Sequence, residues 1–111
     1  MWVLMNDSFL SIVQDKDQED IYLVRSRRFE DIEVIFGQGY EIYEGLGRDY
    51  RFRSFIPKTI VADAIHQRLL NIDYDNFKNS VIDDDRHDAY LEVWHDLWYL
   101  DSDIGSEAFY D

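Results

Sequence analysis

Glu92 and His95 stand three residues apart in "EVWH", the Glu-x-x-His spacing with which di-iron carboxylate helices present two ligands to one metal centre. Such a centre needs a second motif of the same kind and further carboxylates from other helices. Of the three histidines, His66 sits in no matching motif. His87 lies about two helical turns before His95 and has Asp88 beside it. These read as surface histidines. "DYDNFKNSVIDD" opens like a calcium loop, with Asp73 and Asp75 in the first and third places. The fifth place is then Phe77, the sixth is Lys78 where the sharp turn needs Gly, and the twelfth is Asp84 where a bidentate Glu belongs. The stretch reads instead as an Asp-capped turn before a short helix, with Tyr74 and Phe77 packed inward. "GQGYEIYEGLG" lacks the Gly-Lys-Ser/Thr of a phosphate loop, and Glu41 and Glu44 would repel phosphate. There is no cysteine, no serine in a nucleophile elbow and no carboxylate pair in a cleft pattern. The residues therefore recommend no catalytic group, no metal and no cofactor, and the chain reads as a non-enzyme.

What the residues do supply is charge. Twenty-four acids against eleven bases give a net charge of −13. The imbalance is local: residues 21–60 hold seven bases and six acids, whereas residues 61–111 hold thirteen acids and three bases. The second half repels DNA, RNA and anionic membranes, and attracts a protein that itself binds phosphate. In "SVIDDDRHDAYLEVWHDLWYLDSD" the acids fall on a helix over residues 84–100. Tyr90, Val93, Trp94, Leu97, Trp98 and Leu100 make an apolar stripe that reads as core, and Asp88, Glu92 and Asp96 lie on or beside the opposite face. Asp83, Asp84 and Asp85 open the helix, one as its cap and the others favoured by the dipole. A solvated helix ordinarily mixes signs to gain i,i+4 pairs, yet Arg86 is the one base between Ser80 and Asp111. The candidate partner-binding residues are thus Asp83, Asp84, Asp85, Asp88, Glu92, Asp96, Asp101 and Asp103.

"VRSRR" and "YRFRS" form the basic stretch. On strands, Arg25 shares a face with Arg27, and Arg51 with Arg53. If the two strands are neighbours, an open sheet face carries up to four arginines. That secondary patch is either a binding surface or internal cross-strand pairing with Glu and Asp.

The elements that must position these groups follow from periodicity. "WVLM" and "FLSIVQ" flank "NDS" as a hairpin, and "IYLVRSR" is a third strand, rich in β-branched and aromatic residues. Their closeness in sequence favours an antiparallel meander. Phe29, Ile32, Ile35 and Phe36 fall on one helical stripe that Gly37 or Gly39 ends. "DYRFRSFI" is a fourth strand, stopped by Pro57, and "KTIVADAIHQRLLN" a second helix with Ile60, Ala64 and Leu70 near one apolar stripe and Ile65 and Leu69 beside it. The expected architecture is α+β with two layers: a four-stranded antiparallel sheet packed by about three helices, in the order βββ-α-β-α-α. A single domain over residues 1–105 precedes an acidic tail over residues 106–111. The apolar fraction of 46% supports a real core, and no run is long enough to span a bilayer. The N-terminus lacks the basic residues and cleavage site of a secretory signal, so the expected location is cytoplasmic.

The start "MWVLMNDSFLSIVQ", the "YLVRSR" strand followed by "FEDIE", and "IDYDNFKNSV" followed by "RHDAYLEVW" resemble a set of small bacterial and phage-encoded proteins of unassigned function. The likeness covers nearly the whole chain, and the blocks Ile72–Val81 and Arg86–Trp94 are its most specific part. It implies one intact domain and brings no catalytic residue. In composition alone the chain is similar to the small, acidic, cysteine-free inhibitors of mobile elements, anti-CRISPR proteins and DNA mimics among them. The expected function is that of an acidic interaction module, a nucleic-acid-mimicking inhibitor that blocks the groove of its partner. That partner is a protein with a basic nucleic-acid-binding groove, with no direct nucleic acid and no membrane, and homo-oligomers are compatible. The alternative is a small cytosolic binding or immunity module that uses the arginine-bearing sheet face.

Overall fold

The three apolar runs at the start of the chain pair in sequence order, as their closeness requires. In the computed structural model, which describes residues 1–47 and 49–101, they are β1 (Trp2–Met5), β2 (Ser8–Gln14) and β3 (Ile21–Ser26). Asp15 shapes the β2–β3 turn: its Oδ2 accepts from the N–H groups of Asp17 and Gln18 at 3.1 and 2.9 Å. Helix α1 (Phe29–Phe36) follows and ends where Gly37 adopts φ +74°, a conformation that needs no Cβ. Two further strands, β4 (Tyr43–Glu44) and β5 (Phe52–Pro57), complete an open sheet in the order β1-β2-β3-β5-β4, with every pair antiparallel. Helix α2 (Lys58–Leu70) runs directly out of β5.

Met5, Leu10, Ile12, Val24, Ile32, Ile56 and Val61 form the core where α1 and α2 cover one face of this sheet. Alternation puts Leu10, Val24 and Ile56 on that face and sends Arg25, Arg53 and Phe55 to the other. Three serines on the covered face are fully buried, and each donates to a carbonyl: Ser8 to Asp31 at 2.7 Å, Ser26 to Arg28 at 2.7 Å, Ser54 to Glu41 at 2.8 Å. Such bonds offset the cost of hiding a hydroxyl and fasten α1 and two loop residues, Arg28 and Glu41, to the sheet. Asp31, in the first turn of α1, is buried, and its carboxylate accepts from the N–H of Phe9 at 2.9 Å.

Among the described residues the sheet has five strands and there are four α-helices, against the four and three expected. The additional strand is β4, only two residues long, too short to show any alternation. It is held by Arg51, whose Nε donates to Glu44 Oε1 at 2.6 Å, and by the Gly45 N–H to Arg51 carbonyl bond at 2.8 Å. The α2 stripe is also rotated from the expected one. Val61 is buried and Ile65 packs against the core, while Ile60, Leu69 and Leu70 are exposed, because Val61, Ile65 and Arg68 are the i, i+4, i+7 set turned inward. Arg68 is ion-paired with Asp7.

The described residues group into two compact units, Met1–Asp73 and the chain from Tyr74 onward. The second contains α3 (Phe77–Ser80), α4 (Asp84–Leu97) and a 3-10 turn at Trp98–Leu100. Asn76 caps α3 by accepting from Asn79 N–H at 3.0 Å, where an Asp was expected. Asp83 caps α4 by accepting from Arg86 N–H at 2.9 Å. Phe77 stacks on the buried Tyr90 at 5.8 Å and 17°, and Tyr74 tilts against Phe77 at 5.9 Å. The tryptophan-rich stripe expected as core is largely outside it: Trp94 is 40% exposed, Leu97 56% and Leu100 81%. The four-residue α3 offers too little surface to cover a stripe of that width. The interior of this unit is built from Val81, Arg86 and Tyr90.

Candidate interaction surface

Helix α4 begins at a good cap and carries Asp84 and Asp85 in its first turn, so its local start is well specified. Its i,i+4 series then runs Asp84, Asp88, Glu92, Asp96, and all four are exposed. Asp84, Glu92 and Asp96 have no ion-pair partner among the described residues, and Asp88 has only His87, at 3.7 Å. Asp83, Asp85 and Asp101 are exposed as well, whereas Asp103 lies outside the described residues. Arg86 is buried, its Nη1 donating to the Tyr90 hydroxyl at 3.2 Å. Lys78, the other base of this unit, has its ammonium over the Trp94 ring at 4.3 Å. The inward Arg86 was not anticipated. Its i,i+4 spacing to Tyr90 was the available signal.

At the end of the helix the exposed Trp94 meets Trp98 edge to face at 4.6 Å. Trp94, Leu97, Trp98 and Asp101 line a shallow hollow of about 330 Å³. The acid row therefore ends in an aromatic and aliphatic patch rather than in more charge.

The secondary arginines lie in the first unit. Cross-strand register sets Arg25 directly opposite Arg53, on the sheet face away from α1 and α2. Arg25 Nη2 donates to Ser11 Oγ at 2.9 Å, and its guanidinium stands 4.8 Å from the centre of the Tyr50 ring. Arg27 stands 4.9 Å from that ring and donates to the Asp49 carbonyl at 2.9 Å. Arg51 is paired with Glu44 and so behaves as internal cross-strand pairing. Arg27 and Arg51 fall just outside β3 and β5. At the far end of this face the Tyr43 hydroxyl donates to Glu41 Oε2 at 3.1 Å. That bond, with the carboxylate's charge behind it, holds the phenol above its ordinary pKa of 10.0.

A groove of about 600 Å³ in the first unit runs beside α2 and is lined mainly by Met1, Ile12, Tyr22, Val61, Ile65 and Leu69. Its polar margin is Gln14 and His66. The Gln14 amide is committed to the carbonyls of Asp15, Gln18, Glu19 and Ile21 at 2.9–3.2 Å. That leaves no converging pair of acid and base. Among the described residues no three of His, Asp and Glu converge on a metal position, and no helix is long and apolar enough to cross a membrane. No protein-family model matches the chain, and no curated protein or solved structure matches it.

Proposed function

We propose that this protein is an acidic interaction module whose α4 face enters the basic, nucleic-acid-binding groove of a partner protein and excludes the nucleic acid. The observation that carries the reading is the exposed row Asp84, Asp88, Glu92, Asp96, combined with the burial of Arg86. A helix evolved only to be soluble gains from i,i+4 pairs of opposite sign. Here the one base of the helix is withdrawn into the interior. Successive acids of the row are about 6 Å apart along the axis, since each step is four residues at about 1.5 Å. One strand of B-DNA carries a charge about every 3.4 Å, and the duplex one about every 1.7 Å. The row thus resembles a single phosphate strand at roughly half its density, and Asp83, Asp85 and Asp101 add charge near its ends. Inhibition is steric and electrostatic, with no turnover. The Trp94–Leu97–Trp98 patch supplies apolar area, which a salt-screened charge row lacks.

The test is capture of partners from a host lysate at about 50 and 500 mM salt, where screening differs severalfold. The control carries Asp84, Asp88, Glu92 and Asp96 all changed to Lys. The proposal expects a nucleic-acid-binding protein at low salt, lost with the control. Identical captures by both proteins would make the acid row a solubilising surface.

A further inference from the structure

Strand β1 is an edge of the sheet, and β2 is its one strand neighbour among the described residues. The pairing with β2 fixes which of its backbone groups are left over. Met1 and Ile12 exchange both bonds: the Met1 nitrogen donates to the Ile12 carbonyl and the Ile12 N–H to the Met1 carbonyl, each at 2.8 Å. In an antiparallel ladder such pairs alternate with pairs that share no bond. With Trp2 opposite Ser11 and Val3 opposite Leu10, the backbone groups of Met1, Val3 and Met5 point to β2, and those of Trp2 and Leu4 point out from the edge. Among the described residues none bonds these outward N–H and C=O groups. Proteins ordinarily blunt such an edge with charge, proline or brevity. The opposite edge, β4, is two residues long and carries Glu44. β1 has four residues, Trp-Val-Leu-Met, with neither charge nor proline, and Trp2 is 66% exposed. Asp7, the acid nearest to it in sequence, is ion-paired with Arg68.

We infer that β1 is a homodimer interface: it pairs antiparallel with β1 of a second copy of this chain and joins the two sheets into one. Two-fold symmetry selects this occupant. Opposite residues of an antiparallel pair share a face, so one register uses every outward group: Val3 opposite Val3 of the partner subunit on the axis, and Trp2 opposite Leu4 of the partner subunit on either side. Trp2 and Leu4 are the residues whose N–H and C=O point outward, so each of the two Trp–Leu pairs exchanges two backbone bonds. The faces agree as well. Val3 and Met5 lie on the core side, Trp2 and Leu4 on the other, and the two-fold keeps like face beside like face. The Trp–Leu pairs are then aromatic–aliphatic cross-strand contacts of the kind that stabilise a sheet. A foreign strand would find on β1 no charge by which to be selected. The contact is small, so the dimer is weak and fills by mass action at high concentration. A net charge of −13 on each chain opposes it, and salt screens that opposition. Dimerisation therefore strengthens with salt, the reverse of the salt dependence expected for capture by the α4 row.

The experiment is sedimentation equilibrium of the full chain from about 10 to 500 μM, in about 50 and 500 mM salt. The dimer fraction rises with concentration and is severalfold larger at high salt. Trp2 is exposed and outside the core, so Trp2→Lys keeps Tm, and it lowers the association constant about tenfold or more by placing charge on the edge. The chain has no cysteine, so Val3→Cys supplies one thiol on the axis. Opposed Cα atoms of such a pair are about 4.5 Å apart, within disulfide reach. Val3→Cys therefore oxidises to a covalent dimer about tenfold faster than Leu70→Cys, a control that is 67% exposed on α2. Neutralising α4 by D84N, D88N, E92Q and D96N together keeps or strengthens the dimer, and its loss would overturn the inference by placing the interface on α4. A monomer throughout, a dimer that Trp2→Lys leaves intact, or equal oxidation of the two cysteine variants also overturns it. A monomer that binds a labelled Thr-Val repeat peptide through the Trp2 edge overturns it in favour of a foreign strand.

Discussion

Single residues in this protein do structural work where charge is buried. Asp31 lies inside the first unit and satisfies the Phe9 N–H at the start of β2. Asp31→Ala leaves that donor without its acceptor, and a loss of about 1–3 kcal/mol in urea unfolding is expected. Tyr43 shows the opposite case, charge at the surface. Glu41 accepts its hydroxyl and raises its pKa, so the folded state binds the phenolic proton more tightly than the unfolded state. The sign follows: this contribution to stability is whole below the unfolded phenol pKa and is lost as pH rises through the higher folded value. In Glu41→Gln the Tyr43 titration, followed by carbon NMR of labelled tyrosine, moves down toward the ordinary value. An unmoved titration would remove Glu41 as the cause.

At the scale of elements, the caps and the register decide which groups face outward. Asp83→Ala removes the α4 cap, and about 1 kcal/mol of stability should go with it, read as reduced helicity of the second unit on mild heating. Much of this level was legible in the chain. The β1–β3 meander, α1 with its Gly37 stop, and β5 ending at Pro57 follow from continuous apolar runs and unambiguous breakers. β4 was not legible, since two residues carry no period and what holds them is the Arg51–Glu44 contact. The acid row on α4 could be read from 3.6-residue spacing alone. The depth of Trp94 and Leu97 could not, because burial depends on how much surface α3 supplies, not on the stripe itself. The opposition of Arg25 and Arg53 likewise depends on β3 pairing with β5, a long-range register that no local pattern encodes.

At the scale of the whole molecule, charge is divided between two units. The chain from Tyr74 onward holds eleven acids and two bases, and the bases it does hold are Arg86, buried against Tyr90, and Lys78, set over Trp94. The first unit is nearer balance and gathers arginines on one sheet face. Whether the α4 row displaces nucleic acid is read by competition on the partner captured at low salt. A labelled oligonucleotide bound to that partner is titrated with this protein and with the Asp84, Asp88, Glu92, Asp96 to Lys variant. Full displacement by the unmodified protein is expected, with an affinity that falls steeply between about 50 and 500 mM salt, and none by the variant. Formation of a ternary complex that keeps the oligonucleotide bound, or equal displacement by the variant, would contradict it.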